Sequence, residues 1–235
     1  MRIWGYWATL GWAALAFLAG QFVALFVVLW SGAGDLRTIA DKPFDGILVT
    51  LFILIANPVT IALIVLVVRL ARASPVDYLA LRWPAARYVT TGILLLVGIV
   101  VVSDALLYLS GRDLVTPFQL QSYATASAEG WLAAMLFGAI IVAPAGEEVL
   151  FRGYLFRGWA RSERSTWPAI LAISILFAGL HIQYDWAGML QIFVIGLFLG
   201  WMRWRSDSTL LPFVLHALFN LEGTMETVLQ LRFFS

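Results

Sequence analysis

Long apolar runs, broken by short polar connections, set the first expectation for this chain. From Ile3 to Trp30 almost every residue is apolar, and comparable runs recur as far as the C-terminal end. A helix needs about 20 apolar residues to cross the hydrocarbon core of a bilayer. On that criterion the runs predict spans near 3–30, 45–71, 88–109, 131–157, 167–184, 187–203 and 209–231. Glu222, Gly223 and Glu226 interrupt the last run, so two shorter helices are an alternative there, and about 7–8 membrane helices are expected. The first run is too long for the apolar core of a signal peptide and has no clear cleavage site, so it reads as a span. The connections are short, without repeats or Ser/Gly linkers. The expected fold is therefore an all-α polytopic transmembrane bundle, a single domain over residues 1–235.

Composition agrees with the runs. The chain is 62% hydrophobic and 12% charged, against about half and a quarter in soluble domains. Lipid is the solvent for most of it. Eleven Trp and seven Tyr suit helix ends among headgroups. A net charge of +1 without a basic tract gives no reason to expect a nucleic-acid partner. Zero Cys excludes disulfides, Cys-ligated metal and a thiol nucleophile. Lys42 is the single lysine, a bias that points to a GC-rich bacterial coding sequence and hence to a bacterial inner membrane.

The basic residues also carry an orientation. Arg69, Arg72, Arg82 and Arg87 fall in 69–87; Arg152, Arg157, Arg161 and Arg164 in 152–164; Arg203 and Arg205 follow the sixth run. The alternate connections offer Arg37, Lys42 and Arg112. Basic residues in short loops stay on the cytoplasmic side, so the N-terminus and the arginine-rich connections are expected in the cytoplasm.

Ionisable residues inside spans are costly and by default functional candidates. Here they are Asp104, Glu147, Glu148, Arg152, His181, His216 and Glu222, with Asn57 and Asn220 as uncharged additions. Adjacent helical residues point about 100° apart, so Glu147 and Glu148 cannot share a direction. Glu148 and Arg152 stand i, i+4 in the favourable order and can pair, which leaves Glu147 free to face a cavity. The bland alternative is an ion cluster that merely ties helices together. Both histidines of the chain fall in apolar runs beside these carboxylates. His216 and Asn220 are four apart and share a face; Phe177 lies one turn before His181, where packing is its plain role. Counted at 1.5 Å per residue from the helix ends, Glu147, His181, His216 and Asn220 fall in one layer near the bilayer middle. They are expected to face a shared cavity open to the cytoplasm.

A carboxylate and an imidazole around one water form a general acid/base pair. His216 and Asn220 can hydrogen-bond the oxyanion that forms when water attacks an amide. No Ser, Thr or Cys stands out as an activated nucleophile, so direct attack by water is the economical route. Glu147-Glu148-Val149-Leu150-Phe151-Arg152 resembles the Glu-Glu-x-x-x-Arg motif of the CAAX-protease and bacteriocin-processing (CPBP) family of intramembrane proteases. Phe177-Ala178-Gly179-Leu180-His181 resembles its Phe-x-x-x-His motif, and His216-Ala217-Leu218-Phe219-Asn220 its His-x-x-x-Asn motif. The resemblance covers about residues 127–222 and leaves residues 1–110 as scaffold helices. It implies an intramembrane endopeptidase in which Glu147, assisted by His181, activates water. Glu148 and Arg152 would hold the geometry, with His216 and Asn220 as oxyanion hole. The implied substrate is a membrane-associated peptide or protein, lipidated or not. The resemblance is compatible with metal-free and with metal-dependent chemistry, and the expectation is no cofactor, with zinc as the alternative.

Two other readings stay open. In a zinc-dependent version of the same protease Glu147, His181 and His216 would be the ligands; Asn220, a poor zinc ligand but a good oxyanion donor, tilts the choice to metal-free chemistry. Buried Glu, Arg and His also build proton relays. The chain could thus be a transporter, or a non-enzymatic immunity or scaffold protein that binds a peptide, with Asn57-Pro58 as a broken helix. No inverted repeat relates the two halves.

Overall fold

The computed structural model describes residues 4–233; Ile3, where the sequence starts the first span, lies outside them. Among the described residues there are ten helices and no strand. They are α1 (Tyr6–Ser31), the short α2 (Leu36–Asp41), α3 (Gly46–Leu70), the short α4 (Pro75–Tyr78), α5 (Ala86–Leu109), α6 (Pro117–Ala128), α7 (Leu132–Trp159), α8 (Glu163–Gly179), α9 (Trp186–Ser206) and α10 (Leu210–Phe233). Helices α1, α3, α5, α7 and α9 are long and apolar enough to cross a membrane. The apolar side chains of α5 such as Leu94, Val97 and Val101 point outward, as lipid-facing residues do. The protein is a helical membrane protein.

The seven apolar runs match the seven longest elements in position, but two ends differ. α8 has 17 residues, about 25 Å, short of a hydrocarbon core of about 30 Å. It stops at Gly179, where the chain turns before Asp185 caps α9 by accepting from the Gly188 N–H at 2.9 Å. His181 therefore sits in the turn beyond the helix, not within it. α10 runs unbroken through Gly223, against the two-helix alternative. A Cβ at Gly223 would lie 3.3 Å from Gln119 Nε2, so the glycine eases the approach of α6. Glu222 and Glu226 line an internal cavity rather than facing lipid. α3 likewise passes through Pro58 without breaking, and Asn57 Nδ2 donates to Ile53 O at 3.1 Å just before it. That removes the broken-helix feature on which the transporter reading leaned.

Because the long helices alternate in direction, the molecule has two ends. One holds Trp4 and the α3–α5, α7–α8 and α9–α10 connections, and it is tightly sealed. Trp159 Nε1 donates to Tyr6 O at 3.1 Å, and Arg161 Nη2 to Trp4 O at 2.8 Å. Leu79 and Ala80, just past α4, are buried beneath the bundle. Thr209 donates to both, from Oγ1 to Leu79 O at 2.6 Å and from its backbone N–H to Ala80 O at 2.9 Å. Arg82 pairs with Asp207, and Arg203 Nε donates to Arg152 O at 3.0 Å. The other end holds α2, α6 and the α8–α9 turn. Here Arg112 and Asp185 pair at 2.5 Å, and Gly46 N donates to Thr125 Oγ1 at 2.7 Å. A cavity of about 1040 Å³ opens at this second end.

Candidate active site

The site is built on α7, whose regularity breaks twice. Gly138–Val142 and Val149–Leu155 are π-helical and flank the turn with Glu147 and Glu148. Such segments are rare within α-helices and are frequent at functional sites. The first has a cause in the sequence. Pro144 has no N–H, and the Ala143 N–H donates five residues back to Gly138 O. Neither reaches the Ala139 carbonyl, and Asn220 Nδ2 takes that place, donating to Ala139 O at 2.8 Å from α10. Asn220 is thereby locked to the helix that carries the two carboxylates. Replacing Asn220 by Ala should leave this carbonyl unpaired and lower stability by about 1 kcal/mol. A thermal melt in detergent measures it, and an unchanged midpoint would show that the bond contributes nothing.

The two carboxylates diverge as their spacing requires. Glu148 is fully buried; its Oε1 accepts from Arg152 Nη1 at 2.7 Å and from His216 Nδ1 at 2.9 Å. Arg152 spends its second Nη on Gly196 O in α9 at 3.1 Å, and its guanidinium lies 4.5 Å from the Phe177 ring centre. Glu147 faces the cavity instead. Its Oε2 lies 3.8 Å from His216 Nε2 and has no hydrogen-bond partner among the described residues. Gly146 lets α7 pass close to α3 at this point, since a Cβ there would clash with the Asn57 side chain.

Phe177 joins the histidines. Its buried ring meets His216 edge-on at 5.7 Å and His181 at 4.7 Å between centres. Hydrogen-bond partners assign both tautomers. Glu148 only accepts, so His216 carries its proton on Nδ1; the Phe177 carbonyl, 2.7 Å from His181 Nδ1, fixes the same tautomer there. In the neutral state each histidine presents Nε2 as an acceptor.

Glu147, His181, His216 and Asn220 all line the one cavity, while Glu148 and Arg152 lie behind it. The sequence expectation joined two properties that the structure separates. The cavity opens at the end opposite the arginine-rich connections, so a cavity open to the cytoplasm and arginine-rich ends in the cytoplasm cannot both hold.

Sequence reasoning missed Tyr184, and it missed the convergence of three carboxylates it had named separately. Tyr184, in the α8–α9 turn, lines the cavity half-buried, its ring centre 6.3 Å from that of His181. Burial, then the Glu147 charge, pushes its phenol up to about 12, so it stays an O–H donor. The turn that delivers it could have been found only by knowing that α8 ends at Gly179. Asp104, Glu222 and Glu226, scattered along the sequence, bring carboxylate oxygens within 4.8 Å of one another. Among the described residues this acidic trio is the one set with that spacing. Glu147, His181 and His216 do not converge so closely, and the arrangement does not fit a three-ligand zinc site as it stands.

An all-helical membrane protein with a buried carboxylate–imidazole centre is the class that fold and site define. Residues 129–221 match the family model described as type II CAAX prenyl endopeptidase Rce1-like. That segment holds all three motifs, and the resemblance to the CPBP family is borne out over it. An Escherichia coli protein named "Uncharacterized 24.3 kDa protein" is 32% identical over 130 residues, covering 53% of this chain and 59% of that protein. The matched part thus spans less than two thirds of that relative. No solved structure matches the chain.

Proposed function

We propose that this protein is an intramembrane endopeptidase of the bacterial inner membrane that hydrolyses a peptide bond with a water held between Glu147 and His216. The observation that carries the reading is Glu147 in the cavity wall with its Oε2 3.8 Å from His216 Nε2. That is beyond a direct hydrogen bond, and Oε2 is itself buried, so the carboxylate turns towards the cavity to share one water with His216 Nε2. A lone pair of that water then points into the cavity, at the carbonyl carbon of a bound peptide. Glu147 takes one water proton as the C–O bond forms. The oxyanion is met by neutral donors, the second amide N–H of Asn220 and the Tyr184 hydroxyl. As the C–N bond breaks, the proton on Glu147 passes to the leaving amine, with His181 Nε2 as a relay. Hydroxyl and hydrogen of the water thus end on the two products.

This divides the work of the histidines differently from the family resemblance. His216, oriented by Glu148, stands at the water, and it could donate to an oxyanion only in its doubly protonated form. Glu148 and Arg152 are positioning residues that act through His216 and the packing of α7 on α9. The partners are the bilayer and a membrane-associated peptide or protein substrate. No cofactor enters the scheme.

The test is a reconstitution in lipid of the wild type and a Glu147→Ala variant against a mixed library of lipidated and membrane-inserted peptides, with and without a strong chelator. Cleavage by wild type alone, unaffected by chelator, is the expected result. Chelator-sensitive cleavage would restore the zinc version. Transport of a solute by the purified protein, or activity of Glu147→Ala equal to wild type, would overturn the reading.

A further inference from the structure

The position of the cavity mouth says from which side a substrate arrives. The mouth and upper wall are formed by Lys42 and Phe44 before α3, Asp113 and Thr116 before α6, and Gln183 and Asp185 in the α8–α9 turn. The floor is Leu150, Phe151, Phe177 and His216, all four buried. Below that floor the described residues are closely packed. Tyr78, Leu79, Tyr154 and Leu155 are packed in the buried core, and the Arg203–Arg152 and Thr209–Leu79 hydrogen bonds tie the connections across it.

The sealed end is the basic one. Arg69, Arg72, Arg82, Arg87, Arg157, Arg161, Arg164, Arg203 and Arg205 lie in or beside its connections. The open end has Arg37, Lys42, Arg112 and Arg232, and Arg112 is already paired with Asp185. Basic residues beside spans remain in the cytoplasm, while acidic ones weigh little in that choice. The closed end therefore faces the cytoplasm and the open end faces away from it.

We propose that the active-site cavity is entered from the extracytoplasmic face, so that its substrate is a translocated or membrane-inserted polypeptide segment presented on that side rather than a cytoplasmic protein tail. The word substrate rests on the peptidase reading above; the sidedness does not. An apolar stretch fits the Phe44, Phe52 and Ile53 wall of the cavity. Delivery from outside puts the scissile bond at Glu147 without passage through the packed arginine-rich end.

The native chain has no cysteine, which permits a direct test. Single-cysteine variants Asp113→Cys at the mouth, Tyr123→Cys and Gln183→Cys in the cavity wall, and Arg164→Cys at the sealed end are expressed in bacterial cells. Intact cells are treated with a membrane-impermeant maleimide, and the protein's chromatographic profile checks folding. The expected result is labelling of Asp113→Cys and of at least one cavity variant in intact cells, with Arg164→Cys labelled only after permeabilisation. Labelling of Arg164→Cys in intact cells while Asp113→Cys is protected would overturn the proposal, as would a labelled Asp113→Cys with both folded cavity variants protected. Labelling needs no turnover, so a failure here leaves the peptidase reading standing, and an inert protein in the cleavage assay leaves the sidedness standing.

Discussion

An Arg152→Ala protein will be both destabilised and inactive, and the loss of stability will be the larger of any single substitution in the site. Arg152 is almost wholly buried, and its two Nη atoms are held by Glu148 Oε1 at 2.7 Å and Gly196 O at 3.1 Å. Removing it leaves Glu148 with His216 as its one remaining partner in a low-dielectric interior. Breaking a buried pair by deleting one member costs about 3–5 kcal/mol. The bond to Gly196 also ties α7 to α9, and the guanidinium fills the space over Phe177 on which both histidines rest. Arg152→Lys keeps the charge but not the fork, and should fall between wild type and Ala. A thermal melt in detergent and a turnover assay decide it. An Arg152→Ala protein with a wild-type midpoint and wild-type turnover would show that the buried pair organises nothing.

Much of this was legible because lipid makes the sequence simple. Seven apolar runs became the seven long helices, since nothing but a helix satisfies its own backbone where there is no water. The i, i+4 spacing of Glu148 and Arg152 predicts their pair, and the 100° step between adjacent residues predicts that Glu147 faces elsewhere; both are found. What the sequence concealed depends on register and on contacts between distant helices. Pro144 is visible in the sequence, but not that its effect shifts the ladder into a π turn and frees Ala139 O for Asn220. Gly179 is visible, but not that α8 ends there and leaves His181 in a turn beside Tyr184. Helix counting could not rank the histidines, since contact with Glu148 rather than depth brings His216 beside Glu147. Nor does hydropathy reveal which end of a bundle is plugged. That needed the Leu79–Thr209 and Arg152–Arg203 contacts, which join residues far apart in the chain.

Two neighbouring carboxylates with separate tasks are the centre of the account. Glu147 lines the cavity and carries an unpartnered oxygen, so Glu147→Gln should keep the packing and lose the base. A positioned general base contributes about 10²–10⁴-fold to rate. Glu148 accepts from Arg152 and His216 together, so Glu148→Gln should instead weaken the buried network and lower the melting midpoint. The decisive measurement is turnover and melting midpoint on these two variants side by side, in the same lipid or detergent and with the peptide that wild type cleaves. The account predicts that Glu147→Gln loses turnover by at least about 10²-fold at an unchanged midpoint, while Glu148→Gln shows a clearly lowered midpoint. If Glu147→Gln turns over as wild type does, or if Glu147→Gln is the unstable one and Glu148→Gln melts normally, the assigned division between base and anchor is contradicted.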